Sequence, residues 1–206
     1  MEIVDSHFHL WDTADLEYDL FRDHPQLSGS FRLAQYEIEA RADGVTGAIC
    51  VEAASAGADG VLETEWLLRE TEGSDIAKGI VAWAPLDDPK RIDAHLNWLQ
   101  ARGGQKIVGV RRSFEWEPDD FPRRREVTDG CRAAGERGLV VDLVMFSRSL
   151  RDDRPRRRMS GNTVRTRSSR QAADSRRSAE SVACGTDRAG SVFECRMQTL
   201  WHHYRG

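Results

Sequence analysis

Two histidines one residue apart supply the first chemistry in this chain. In DSHFHLWD, residues 5–12, His7 and His9 flank Phe8. On an extended strand, side chains two residues apart leave from one face, so the imidazoles project together while Phe8 points the opposite way. Two neutral imidazoles converging at a strand end can hold a divalent cation such as zinc. The same spacing is also met where a strand end carries two histidines with no ligand between them, and the pair by itself does not choose. A second pair, His202–His203, lies at the far end of the chain. The four cysteines, Cys50, Cys131, Cys184 and Cys195, show no paired spacing of a zinc site or a disulfide framework.

The elements that must position these residues are legible from periodicity. EIVDSHFHLW, VTGAICVEAAS, IAKGIVAWAPL, KIVGVRRSF and GLVVDLVMF are short apolar, β-branched runs bounded by Gly or polar residues, the pattern of strands covered on both faces. Between them, helical patterns cover Leu33–Arg41, Leu62–Thr71, Ile92–Ala101 and Val127–Arg137. In DDPKRIDAHLNWLQARGG, Asp88 is placed to cap the helix, Pro89 to sit in its first turn and Gly103 to close it. Alternation of strand and helix implies parallel strands with right-handed crossovers, in either a doubly wound sheet or a (β/α)8 barrel. In a barrel, the C-terminal strand ends, where His7 and His9 fall, carry the chemistry.

Charge divides the chain. Of 30 basic residues 17 lie in residues 1–150, and of 34 acidic residues 28 do, so that segment carries −11 and the remainder +7. The first twelve residues hold acids and histidines where a signal peptide needs a basic region and an apolar run, and no apolar stretch is long enough to span a bilayer. The cytoplasm is the expected compartment.

The segment from Glu2 to about Leu150 resembles the amidohydrolase superfamily, and within it the amidohydrolase-related branch of sugar lactonases of the L-fuconolactonase and L-rhamnonolactonase type. The resemblance is carried by DSHFHLWD, by GAICVEAAS followed by ETEWLL, and by IVAWAPLDDP, GVRRSF and RGLVVDLVM, in the family's order and spacing. It implies a TIM-like barrel and water attack on a lactone, amide or related carbonyl compound, with or without a metal. Where a metal is used, it polarises the carbonyl and acidifies a bound water. His7 and His9 match the family's first two ligand positions, which some relatives use for substrate instead. Arg111 ends the fourth strand of the barrel pattern, where its guanidinium can grip a substrate carboxylate or carbonyl, or form a surface ion pair. Glu52, ending the second, can face the substrate or pack a polar layer. Trp11 lines the mouth or packs beneath the first loop, and Arg123–Arg125 is expected to be a solvated loop and helix start.

Past Leu150 the expected continuation, a histidine in a stretch like VLDHLGKP, then CKLSG, then a late aspartate serving as ligand and base, is missing. A slip of reading frame accounts for it. VRTRSSRQAADS, Val164–Ser175, can be encoded by codons that, read one nucleotide later, spell FVLDHLGKPPI. MQTLWH, Met197–His202, must give Cys from Met-Gln and Gly from Trp-His in that frame whatever the codon choice, and its wobble positions permit CKLSG. The slip falls near Arg151 or Asp152. The expectation is therefore an N-terminal part of the barrel over residues 1–151, about five βα units, followed by a basic, disordered tail over 152–206. Five strands of eight leave open edges and an incomplete ligand shell, so a zinc-like metal would bind weakly if at all. The expected partner is a small lactone-like molecule. The competing reading is a nucleic-acid-binding protein whose tail meets polyanions through charge alone, although that tail lacks interleaved aromatics before Phe193.

Overall fold

The structure is a computed structural model that describes residues 3–22, 24–55, 60–146, 179–186 and 193–199. Strand β1 (Ile3–Phe8) leads into a long connection carrying a small antiparallel pair, β2 (Trp11–Asp12) with β3 (Ser30–Phe31), and one helical turn, α1 (Asp19–Arg22). There follow α2 (Leu33–Ala42), β4 (Val45–Val51), α3 (Val61–Glu70), β5 (Ala77–Trp83), α4 (Ile92–Gly103), β6 (Ile107–Ser113), α5 (Arg125–Glu136) and β7 (Val140–Phe146).

Strands β1, β4, β5, β6 and β7 are parallel neighbours in that order. Spatial order follows chain order without reversal, whereas a doubly wound sheet turns back at a switch point. The five strands form a half barrel of the TIM type.

The helices cover one side of the sheet. Ala48, Cys50, Ile80, Ala82, Val110 and Val141 meet Leu67, Leu96 and Leu99 in a core from which water is excluded. Packing there is close enough to dictate a glycine: a Cβ on Gly130 of α5 would stand 2.1 Å from the Leu86 carbonyl oxygen. Asp88 caps differently from the expectation. Its side chain accepts the Lys90 N–H at 2.9 Å and its carbonyl accepts the Ile92 N–H at 3.0 Å, which makes a turn ahead of α4. Arg91 stands at the N-cap, while Gly103 ends the helix as expected and Gly104 turns the chain with φ 51°.

The first connection settles Trp11. Its Nε1–H donates to the Leu27 carbonyl at 2.9 Å and its ring packs against Phe21 and Phe31, so it lies beneath the loop. The arginine cluster is a solvated helix start: α5 begins at Arg125, which is 90% exposed beside Asp129, and Arg124 lies over the Phe121 ring.

Two stretches of the tail are described as strands, β8 (Ala179–Thr186) and β9 (Phe193–Thr199). β8 pairs antiparallel with β7 and β9 with β8. A sheet edge is a row of unpaired amides and carbonyls that asks for backbone, not for particular side chains. The other features read from the tail, including the junction at Arg151–Asp152, the segment beginning at Val164 and His202–His203, lie outside the described residues.

Candidate active site

His7 and His9 come together at the C-terminal end of β1. Phe8 faces the helix layer and stacks on Tyr36 of α2 with centroids 3.9 Å apart. A register shift between Asp5 and Phe8 re-aims the strand end. Asp5 secures it, accepting the His7 N–H at 3.0 Å and the Tyr36 hydroxyl at 2.7 Å.

The hydrogen bonds fix the tautomers. His9 Nδ1 lies 2.9 Å from the Val51 carbonyl, an acceptor only, so Nδ1 carries the proton and Nε2 presents a lone pair. That lone pair faces His7 Nε2 at 3.1 Å, and the N–H of His7 donates across the gap. Burial first, then the Arg111 charge, pulls His7 down to about 4 and His9 down to about 3. Both rings are therefore neutral near pH 7.

Arg111 lies within β6, in register with Trp83 on one side and Asp142 on the other. Both partners of this ion pair are 5% exposed. Asp142 Oδ2 accepts from Arg111 Nε at 2.7 Å and ion-pairs with Nη2 at 2.6 Å. The same Nη2 lies 3.0 Å from His7 Nε2 and 3.5 Å from His7 Nδ1. A donor lying in the ring plane on the Nε2 lone pair would be far from Nδ1, so nearness to both places the guanidinium nitrogen over the imidazole face, a stacking contact arginine favours. The Asp142–Arg111–His7–His9 chain thus links β7, β6 and β1 across the concave side of the sheet.

Glu52 follows β4 and is buried. Its Oε2 accepts the Ala54 N–H at 2.6 Å. Glu63 of α3 reaches the same loop and accepts the Ala53 and Ser55 N–H groups at 2.8 and 3.2 Å. Two buried carboxylates thereby take three successive amides and hold Ala54 at φ 59°, a strained conformation for a residue with a Cβ. Burial and then the Glu63 charge push Glu52 up to about 7, and burial also raises Glu63. In the described contacts Glu52 therefore packs a polar layer under the loop.

Asp142 and Glu63 escaped the sequence reading, yet each left a signal. Asp142 interrupts the apolar run of GLVVDLVMF, and Glu63 shares a helix face with Trp66 and Leu67, so both are charges at positions patterned for burial.

A resident divalent metal does not fit these residues. The facing nitrogens have suitable spacing and the Val51 carbonyl orients His9 as an outer-shell partner would. However, no third donor joins them in a group of three among the described residues, and a guanidinium stands 3.0 Å from one of the two nitrogens. Among the described residues, no helix is long and apolar enough to cross a membrane.

The sequence model of a family described as Amidohydrolase matches residues 4–180. The chain is 22% identical over 160 residues to the protein y4mH of Sinorhizobium fredii, covering 70% of this chain and 54% of that one. Among solved structures it is similar to an amidohydrolase of Burkholderia multivorans with bound zinc, at 23% identity and TM-score 0.56, covering 68% of this chain and 48% of that one. A probable 2-pyrone-4,6-dicarboxylic acid hydrolase of Acinetobacter baumannii, with citric acid bound, is similar at 17% identity and TM-score 0.52, covering 69% and 49%. Amidohydrolase 2 of Bifidobacterium longum subsp. infantis is similar at 20% identity and TM-score 0.52, covering 68% and 50%. At these identities the structural likeness is one of fold. The chain spans about half the length of each of these proteins.

Proposed function

Because the chain belongs to the amidohydrolase family, we propose that it is the N-terminal half of a cytoplasmic hydrolase that opens a lactone, amide or similar carbonyl compound by attack of water, and that its reading frame slips by one nucleotide near Asp152. The observation that carries this reading is the reach of Arg111 from Asp142 to His7 across the concave side of the sheet. A guanidinium fixed by a carboxylate on one edge is oriented before substrate arrives, and it can polarise a carbonyl or grip a carboxylate without further reorganisation. Neutral His7 and His9 present ring nitrogens to the same space, where they contact the substrate. With values pulled down to about 4 and 3, they are poor bases for water. Glu52, together with Glu63, shapes the loop that closes one side of the substrate space.

The base that activates water belongs, in this reading, to the later strands, whose coding survives in the shifted frame. Half a barrel then leaves the chain impaired in catalysis. The zinc bound to the Burkholderia multivorans relative is a feature of that protein; here His7 and His9 would hold such an ion weakly if at all, and no step is routed through it. The nucleic-acid reading rests on a tail whose basic stretches lie outside the described residues, and nothing described favours it.

DNA across the codons for Leu150–His202 tests the slip: the shifted frame must encode the VLDHLGKP-like and CKLSG segments. A gene joined in that frame should then yield a protein that hydrolyses members of a lactone and amide panel, with Arg111→Met lowering kcat/KM by roughly a hundredfold or more. Absence of the segments overturns the slip, and a joined protein inert on the whole panel overturns the hydrolase.

A further inference from the structure

We infer that Arg111, tethered by Asp142, is the resident cation of the His7–His9 pair and keeps divalent metals out of it. The pair on its own resembles two ligands awaiting an ion, since His9 offers a lone pair held in place by the Val51 carbonyl, 3.1 Å from His7 Nε2. What decides its use is the third group. Arg111 Nη2 stands 3.0 Å from His7 Nε2, and the guanidinium is held by Asp142 Oδ2, which accepts from Nε at 2.7 Å and ion-pairs with Nη2 at 2.6 Å.

A dication between the two Nε2 atoms would sit within a few ångströms of a permanent positive charge, well inside the roughly 10 Å over which salt screens such repulsion. Arg111 cannot swing away cheaply, because that breaks its ion pair with Asp142 in a site where both are 5% exposed. The space beside Arg111 is left to neutral or anionic oxygen groups, for which its guanidinium N–H groups are donors. This inference stands whether or not the joined protein hydrolyses a lactone.

Zinc titration of the full chain, read by competition with a metallochromic indicator, tests it. Other histidines and cysteines add background, so each protein is compared with the same protein carrying His7→Asn and His9→Asn. The wild-type isotherm should be unchanged by those two substitutions. The Arg111→Met, Asp142→Asn variant, which removes both charges together, should gain one site that they abolish, tighter by roughly a hundredfold or more. A histidine-dependent zinc site in the wild type as tight as in that variant overturns the inference, and so does a folded variant that gains none. If circular dichroism shows the variant unfolded, histidine-selective NMR of the wild type decides: ring signals of His7 and His9 unmoved by zinc support the inference, and displaced signals overturn it.

Discussion

On the helix side of the sheet, Cys50, Ile80, Ala82 and Val110 meet Leu67, Leu96 and Leu99, whereas on its concave side Arg111 and Asp142, nearly as withdrawn from water, meet as opposite charges. The first contact set is non-directional and answers to volume. The second is directional, and its charge is compensated only while both partners remain. Burial of similar depth thus encodes packing on one side and chemistry on the other, and substitutions should fail on the two sides for different reasons.

The largest effect is expected at the charged side. Asp142→Ala leaves the Arg111 guanidinium buried and uncompensated, which costs about 3–5 kcal/mol, while removing both charges with isosteric apolar groups is near neutral. Urea unfolding of the single and double variants checks this, and equal losses in both would erase the distinction between the faces. On the apolar side, Leu96→Ala opens a cavity in a fully buried position of α4 and costs about 2–5 kcal/mol. There, a second truncation at a separate core position should add to the first instead of rescuing it, because no charge is left behind.

The apolar side was legible in the sequence and the polar side only in part. The pattern expects Leu33–Arg41 and Val127–Arg137, and the helices run Leu33–Ala42 and Arg125–Glu136. Periodicity reads such elements because each residue's face follows from its own position along the chain. The convergence of His7 and His9 is local in the same sense. The Arg111–Asp142 contact joins residues 31 positions apart through the register of β6 on β7, and register has no marker inside either strand. Glu63 holding the loop at Ala53 and Ser55 depends likewise on how α3 docks. Asp88 shows the limit of a local rule: its carboxylate does take a nearby amide, but one that belongs to a turn ahead of the helix.

Carboxylates sharpen the contrast at a smaller scale, because Asp12 and Asp15 in the first connection and Glu52 and Glu63 beside the Ala53–Ser55 loop are shifted in opposite directions. Asp12 is held below its ordinary value first by the Ala14 N–H at 2.8 Å and then by side-chain donors including Arg32; for Asp15 the Trp66 indole N–H leads and Arg32 follows. A lowered folded value contributes stability above the ordinary Asp value of 3.8, lost as pH falls through the lowered one. Glu52 has the opposite sign: raised from 4.5 to about 7, it favours the folded state while protonated and opposes it as pH rises through that interval. Thermal melting from pH 3 to pH 8 should therefore show two limbs with separate origins. Glu52→Gln should flatten the limb between about pH 4.5 and pH 7 and leave the acid limb in place. Arg32→Gln should soften the acid limb only slightly, since the Ala14 and Trp66 donors that lead at Asp12 and Asp15 remain. Complete loss of the acid limb in Arg32→Gln would mean that ion pairing, and not these N–H donors, governs Asp12 and Asp15.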